Sequence, residues 1–400
     1  MEEENVRDWL RRYGLLALRL SRRMTGSATG PVLVYHGPPG WRELVEREEP
    51  PPAGRLVEDA EALAEHVPFP PERARHLAAD VRAMRAVARR LAGERAPLPE
   101  HARECLGITA HRVPEALFEQ VHDRLDAALP GGPGSLAERL NAWRTAHLLP
   151  PDRVHRVPDL VLRAVSETRR RTGGIVPLPE DEQVRCRLVS GTHFRAAGEY
   201  EGGLRSTIHV NRDVPFNLAD LLYVVAHEGH PGHIAEAVLK ERLLGPEQRI
   251  RFLLTPGSVV GEGLGLHAQD LVFPGDEAQA WLARHVLPEF GIAPDGSDFA
   301  AIHRAQNALF GVWANAALLA GEGRPEAEVA DYLSRWSLLT EAEAAAALTS
   351  LRAPGMSLYV LAYFHGWRLL DAWLDVPDRT ARVRRLLTER VLPADVGAEG

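Results

Sequence analysis

The chain has 400 residues, of which 45% are hydrophobic and 26% charged, with a formal net charge of −8. This is the balance of a globular protein large enough to bury one or two cores, and the acidic excess argues against general attraction to nucleic acid or anionic membranes. Cys105 and Cys186 stand far apart with no CxxC spacing, which argues against a disulfide framework and a thiolate zinc site.

Met1 to Asn5 is acidic and is followed by neither a signal-peptide core nor an 18-residue apolar run, so a cytoplasmic location is expected. Val6 to Met24 is an amphipathic helix, with Leu10, Tyr13, Leu16 and Leu20 on one face and arginines on the other. Thr25 to Pro52 is rich in glycine and proline and contains one short strand candidate, Val32 to Tyr35. From Gly54 to Gly93 the pattern fits two helices broken near Pro68 to Pro71. Ala96 to Pro99 and Pro130 to Gly134 read as loops between further helices, and Pro158 to Thr172 as a helix with proline in its first turn.

The texture then changes. Gln183 to Leu188, Phe194 to Tyr200 and Ser206 to Asn211 carry strand patterns, with a turn at Glu201-Gly202-Gly203. Leu218, Leu221, Leu222 and Val225 follow at helical spacing, with Asn217 placed to cap them. Beyond this point helices are expected over Ser258 to Val272, Trp281 to Leu287, Phe299 to Leu319, Glu326 to Trp336, Glu341 to Leu351 and Met356 to Leu374, with a frayed tail from Leu392.

The chemistry concentrates in His227-Glu228-Gly229-His230-Pro231-Gly232-His233. A catalytic zinc takes three protein ligands and keeps one position open. The helical solution HExxH sets two histidines one turn apart with a glutamate as general base; here Pro231 stands where the second histidine belongs. In a straight helix His230 lies about 60° from His227 and shares its side, whereas His233 lies about 120° away. Pro231 cannot donate to the carbonyl of His227 and crowds it, and Gly232 frees the backbone, so the helix is expected either to break or to bulge. A bulge absorbing two residues swings His233 back beside His227.

The heptapeptide resembles the signature of a bacterial family of unknown function, HExxPGHH, which is similar to gluzincin zinc metallopeptidases and distantly to carboxypeptidase Taq and thimet oligopeptidase. Further matches run through Gly134 to Leu140, Arg169 to Thr172, Leu178-Pro179-Glu180, Tyr200 to Ser206, Asn211 to Pro215, Glu236, Lys240-Glu241 and Thr255-Pro256, so the resemblance covers roughly the C-terminal two-thirds. The family's last histidine is Ile234 here, and His230 fills a position often held by tyrosine. The resemblance therefore favours His233 over His230 as second ligand. Glu262, 29 residues beyond His233 and followed by Gly263, is the implied third ligand, although Gly265 replaces the family's alanine.

The same resemblance points to Tyr363 in Tyr363-Phe364-His365-Gly366 as an oxyanion donor, with His365 a weaker candidate, and leaves Glu236 and Asp270 as candidate acceptors that orient imidazoles. It makes Arg205 to Val210 the candidate substrate strand, with Arg205, Ser206 and Ile208 as contacts. The fold it implies is mainly α, gluzincin-like, with one small antiparallel sheet beside the active-site helix. An N-terminal helical cap (1–150) would cover a metal-binding catalytic region (151–400) in one compact unit. The implied activity is Zn2+-dependent hydrolysis of short peptides with Glu228 as general base. A metal-dependent amidase or esterase on a small molecule, and a non-catalytic metal-binding protein, are the alternatives. Nucleic acid and membrane partners are not expected.

Overall fold

A computed structural model describes residues 2–192 and 194–397. The first part of the chain is helical: α1 (Glu2–Thr25), the short strand β1 (Leu33–Tyr35), α2 (Pro39–Arg47), α3 (Ala53–Glu65), α4 (Pro71–Leu91), α5 (Leu98–Leu106), α6 (Glu115–Ala128), α7 (Leu136–Ala146) and α8 (Val157–Gly173). Of the predicted apolar face of α1, Tyr13, Leu16 and Leu20 are buried while Leu10 is half-buried; Trp9 packs inward in addition and donates its indole N–H to the Leu63 carbonyl. Proline opens α2, α4, α5 and α8, where its missing N–H has no intrahelical partner to lose. Ser135 starts α7 with a capping box closed by Glu138.

The strands follow as β2 (Gln183–Val189), β3 (Ala196–Gly202) and β4 (Arg205–Asn211), in the order β2-β4-β3. β4 runs antiparallel to β3 across the Gly202-Gly203 turn and parallel to β2. The sheet is thus mixed, where an antiparallel one was expected. Two successive chain reversals leave β2 and β4 pointing the same way, and β4 inserts between its predecessors. This corrects the substrate-strand expectation as well. β4 spends its backbone groups on both neighbours, and Ser206 and Ile208 are buried in its interior, so Arg205, Ser206 and Ile208 do not lie on an edge that could pair with an extended peptide.

Next come α9 (Leu221–Glu228), α10 (His233–Leu244), β5 (Ile250–Phe252) and α11 (Pro256–Val272). β5 pairs antiparallel with β1, making a second small sheet that the sequence pattern did not announce. The chain ends with α12 (Glu277–His285), α13 (Phe299–Gly321), α14 (Glu326–Ser337), α15 (Glu341–Arg352), α16 (Met356–Leu374), α17 (Thr380–Thr388) and α18 (Pro393–Gly397). The tail does not fray through its described part. Val396 is buried, and Asp395 holds Arg75 and accepts from the Leu392 N–H.

The protein is therefore mainly helical, with two small sheets among the described residues. One large core joins residues on both sides of position 150, among them Trp9, Phe118, Trp143, Ile208, Val225 and Phe364. A smaller one gathers Leu264, Trp373, Leu386 and Val396 where α11, α16 and α17 meet. α11 lies along α16, and α9 packs on α11 and β3. No helix among the described residues is long and apolar enough to cross a membrane.

Candidate metal centre

Asn217 caps the approach to α9, its side chain accepting from the Ala219 N–H. α9 ends at Glu228, the His230–Pro231 peptide is cis, and α10 starts at His233. Across this break the Gly232 N–H bonds the Ala226 carbonyl at 3.0 Å and the Ala235 N–H bonds the Gly229 carbonyl at 3.0 Å. Each bond spans six residues where a helix spans four, so the backbone absorbs two extra residues and then resumes. Gly232 permits it: a Cβ there would stand 1.8 Å from the His227 carbonyl oxygen. The helix thus both breaks and realigns.

The realignment returns His233 to His227, with ring centroids 4.8 Å apart and the planes perpendicular. Glu262, on α11, completes the group. Its Oε2 lies 3.5 Å from His227 Nε2 and its Oε1 lies 3.5 Å from His233 Nε2. One ligand atom from each of the three falls within 4.8 Å of the others. Two ligands bound tetrahedrally at about 2.0–2.1 Å from zinc sit roughly 3.3 Å apart, close to the separations here. Glu262 Oε2 is buried and has no hydrogen-bond partner. An orphaned carboxylate oxygen facing an imidazole nitrogen just beyond hydrogen-bond range is the donor geometry a divalent cation satisfies, and the set of two imidazoles and a carboxylate suits zinc.

Glycines let the helices approach this closely. A Cβ on Gly265 would lie 2.6 Å from His227 Cε1, so the alanine of the resembling family has no room beside the imidazole here. A Cβ on Gly263 would lie 2.4 Å from the Gly366 carbonyl oxygen, and one on Gly366 2.0 Å from that of Val259. The α11–α16 crossing brings the Tyr359 hydroxyl onto Glu262 Oε1, to which it donates. Tyr363, one turn on, stacks on Phe310 at 4.8 Å and meets Tyr359 edge-on at 5.5 Å. Burial raises the phenol pKa of both tyrosines, and the charge of Glu262 raises it further. Tyr359 was passed over in the sequence although it shares a helical face with Tyr363 four residues away.

Glu228 points to β3. Its Oε2 accepts from the Gly198 N–H at 2.8 Å. A Cβ on Gly198 would stand 2.2 Å from the Glu228 carbonyl oxygen, so strand and helix touch through backbone. Burial would raise the carboxyl pKa of Glu262, but the charge of His233 and the close imidazoles of His227 and His233 hold it well below the usual carboxylate range. Burial likewise works against a charged His233, yet Glu262 and, with less weight, Glu228 and Glu236 raise it to about 9.

The other candidates lie elsewhere. His230 is fully buried, with Nε2 3.0 Å from both oxygens of Glu182. Glu182 in turn accepts from Arg169 Nε at 3.0 Å. His230 therefore fastens the turn to the segment before β2 and is not among the converging ligands. His365 meets the Phe364 ring edge-on at 5.6 Å, and burial, with the charges of His111 and Arg368, lowers its pKa to about 4. Glu236 is held by Lys240, the chain's single lysine, at 2.7 Å. Asp270 is held by Arg379 at 2.6 Å. Neither makes a hydrogen bond to a histidine of the cluster among the described residues.

No protein-family model matches the sequence, and no curated protein matches it. The fold is similar to that of a candidate lipoprotein from Colwellia psychrerythraea, with TM-score 0.53 and 15% identity, covering 86% of this chain and 65% of that one. It is also similar to a candidate lipoprotein of unknown function from Shewanella oneidensis, with TM-score 0.50 and 13% identity, over 90% of this chain and 67% of that one. The chain thus spans about two-thirds of the length of each.

Proposed function

We propose that this protein is a zinc-dependent hydrolase of gluzincin-like architecture acting on short peptides. The observation that carries the reading is the convergence of His227, His233 and Glu262, with an orphaned Glu262 oxygen, beside a free carboxylate oxygen of Glu228. Zinc held by His227, His233 and Glu262 would supply Lewis acidity that makes water a nucleophile near neutral pH.

The chain's own groups account for the remaining steps. Gly198 orients Glu228 through Oε2 and leaves Oε1 to take a proton from the attacking water and hand it to the leaving amine. Tyr359 fixes the plane of the Glu262 carboxylate. The Tyr363 hydroxyl, kept protonated by burial and nearby carboxylates, is the donor for the developing oxyanion. Substrate pairing moves to β3. Arg195 O accepts from Asn211 N, and with the observed register the backbone groups of Ala196 and Gly198 face away from β4. The Gly198 N–H on that side is held by Glu228, so the stretch at Ala196, beside Glu228, is the part of the edge that fits an extended peptide.

The test is zinc content and peptidase activity of protein purified without added metal. Wild type should carry about one zinc per chain, His233→Ala should lose it, and His230→Ala should keep it. Glu228→Gln should retain zinc and lose turnover. A wild type that binds no zinc even after reconstitution would sink the proposal.

A further inference from the structure

Beside Tyr223, a cavity of about 50 Å3 lies between α11, α13 and α16. Its inner donors are spent within the protein. The Tyr223 hydroxyl donates to Asn307 Oδ1 at 2.5 Å, and Asn307 Nδ2 to the Leu266 carbonyl at 3.0 Å. Gln269 Nε2 donates to His303 Nδ1 at 3.3 Å, the tautomer set by His303 Nε2 donating to Asp220 at 3.0 Å. His267 Nε2 donates to the Trp367 carbonyl at 2.9 Å.

What remains inside is acceptor. Gln269 is only 7% exposed and its Oε1 is buried with no partner, and a neutral His267 keeps a lone pair on Nδ1. At the mouth stand Asp371, which is exposed and forms no ion pair among the described residues, and Asp270, already held by Arg379. Arg304 is the cation of the lining. Trp367 adds an aromatic ring to the lining, and such rings attract a cation; the Phe273 ring already carries Arg171 at 4.0 Å.

Arg304, Trp367 and Asp371 also wall a second cavity of about 380 Å3 between α6 and α13, lined by Val121 and alanines such as Ala301, Ala305 and Ala308, with Arg124 and Asp298 as its further charged residues. We propose that the two cavities form one binding site for a primary amine on an apolar stem. The ammonium head donates to Gln269 Oε1 and finds its counter-charge in Asp371, and the stem crosses Trp367 into the alanine-lined groove. Three N–H donors and no acceptor suit the unspent acceptors Gln269 Oε1 and His267 Nδ1, and an apolar stem suits walls of valine and alanine.

The experiment is calorimetric titration of the full chain with n-hexylammonium, n-propylammonium and 1-hexanol. Hexylammonium should bind saturably, at least tenfold more tightly than 1-hexanol and several-fold more tightly than propylammonium. Asp371→Asn, at an exposed position that folding tolerates, and Gln269→Leu should each weaken hexylammonium about tenfold. Leucinamide and N-acetyl-leucinamide separate two sources of the amine. If the free form binds like hexylammonium and the acetylated form does not, the amine is an amino terminus; if neither binds, it is a free alkylamine. Absence of hexylammonium binding, equal binding of 1-hexanol, or an unchanged constant in both variants overturns the proposal. Chelator-treated protein should still bind hexylammonium in preference to 1-hexanol, since no metal ligand takes part in the site, so failure here is distinguishable from failure of the zinc reading.

Discussion

Gly265→Ala is the most economical probe of the metal centre. The new Cβ would sit 2.6 Å from His227 Cε1 and 2.7 Å from Nδ1, while ordinary contact begins near 3.4 Å, so the imidazole must retreat by about 0.8 Å. Metal sites tolerate roughly 0.5 Å of misplacement before they loosen, and disturbing the groups that orient a ligand costs about 10- to 100-fold in affinity. In a helix interior alanine is otherwise favoured over glycine by about 1 kcal/mol. The two effects have opposite signs and separate cleanly. The metal-free variant should melt at or near the wild-type temperature, while its zinc affinity, measured by competition with a chromophoric chelator at fixed pH, should fall at least tenfold. An affinity within threefold of wild type would refute the argument that Gly265 exists to admit the His227 ring.

Further outcomes follow from the same geometry. Tyr359→Phe removes the one hydroxyl on Glu262 Oε1 and should weaken zinc about tenfold with little loss of secondary structure, read by the same competition and by circular dichroism. Zinc binding at pH 7.5 should release close to one proton, because His233 is raised to about 9 and must give up its charge to ligate; calorimetry in buffers of different ionisation enthalpy measures it, and release near zero refutes the assignment. In the metal-free protein the imidazolium of His233 stabilises the fold fully below its unfolded pKa near 6.5. That contribution is lost as pH rises through about 9, so chelator-treated protein should melt lower at pH 10 than at pH 7, and His233→Ala should flatten the difference. Asp80 runs the other way. Burial raises it to about 7 despite hydrogen bonds from Tyr13 and Thr255, so ionisation costs stability as pH rises from about 4 through 7. Asp80→Asn should therefore stabilise the protein at pH 8 relative to pH 5, as denaturant midpoints would report.

The histidine part of the His227–His233–Glu262 cluster was legible because its information is local, whereas Glu262 came from the resemblance. Three histidines and a glutamate in seven residues, interrupted by Pro231 and Gly232, constrain a backbone strongly, and helical periodicity marked α1, α13 and α16. The ambiguity between His230 and His233 was not resolvable from spacing alone, because it depends on Glu182, 48 residues before His230, being present to receive the imidazole. Strand order was illegible for a similar reason. Ser206 to Asn211 alternates as an edge or a central strand equally well, and the difference lies in whether β2 docks on its second side. Tyr359 and Tyr363 share one helical face, and only the depth of the α11–α16 crossing decides which hydroxyl reaches Glu262. α17 escaped notice because arginines crowd its short sequence and leave only Val383, Leu386 and Leu387 to mark its buried side.

The crossing at Gly263 and Gly366 has a mechanical meaning. Where most helix pairs meet through side chains that can change rotamer, these meet through main-chain atoms that have none to change, with each glycine occupying space that a single methyl group would contest. Such a joint has no slack: α11 and α16 move together or not at all. Glu262 and Tyr359 ride on opposite members of that joint, while Trp367 follows Gly366 directly and walls the amine cavity. A ligand wedged against Trp367 would therefore push on the same lever that carries the Tyr359 clamp on Glu262. Cavity and metal centre are two stations on one rigid arm.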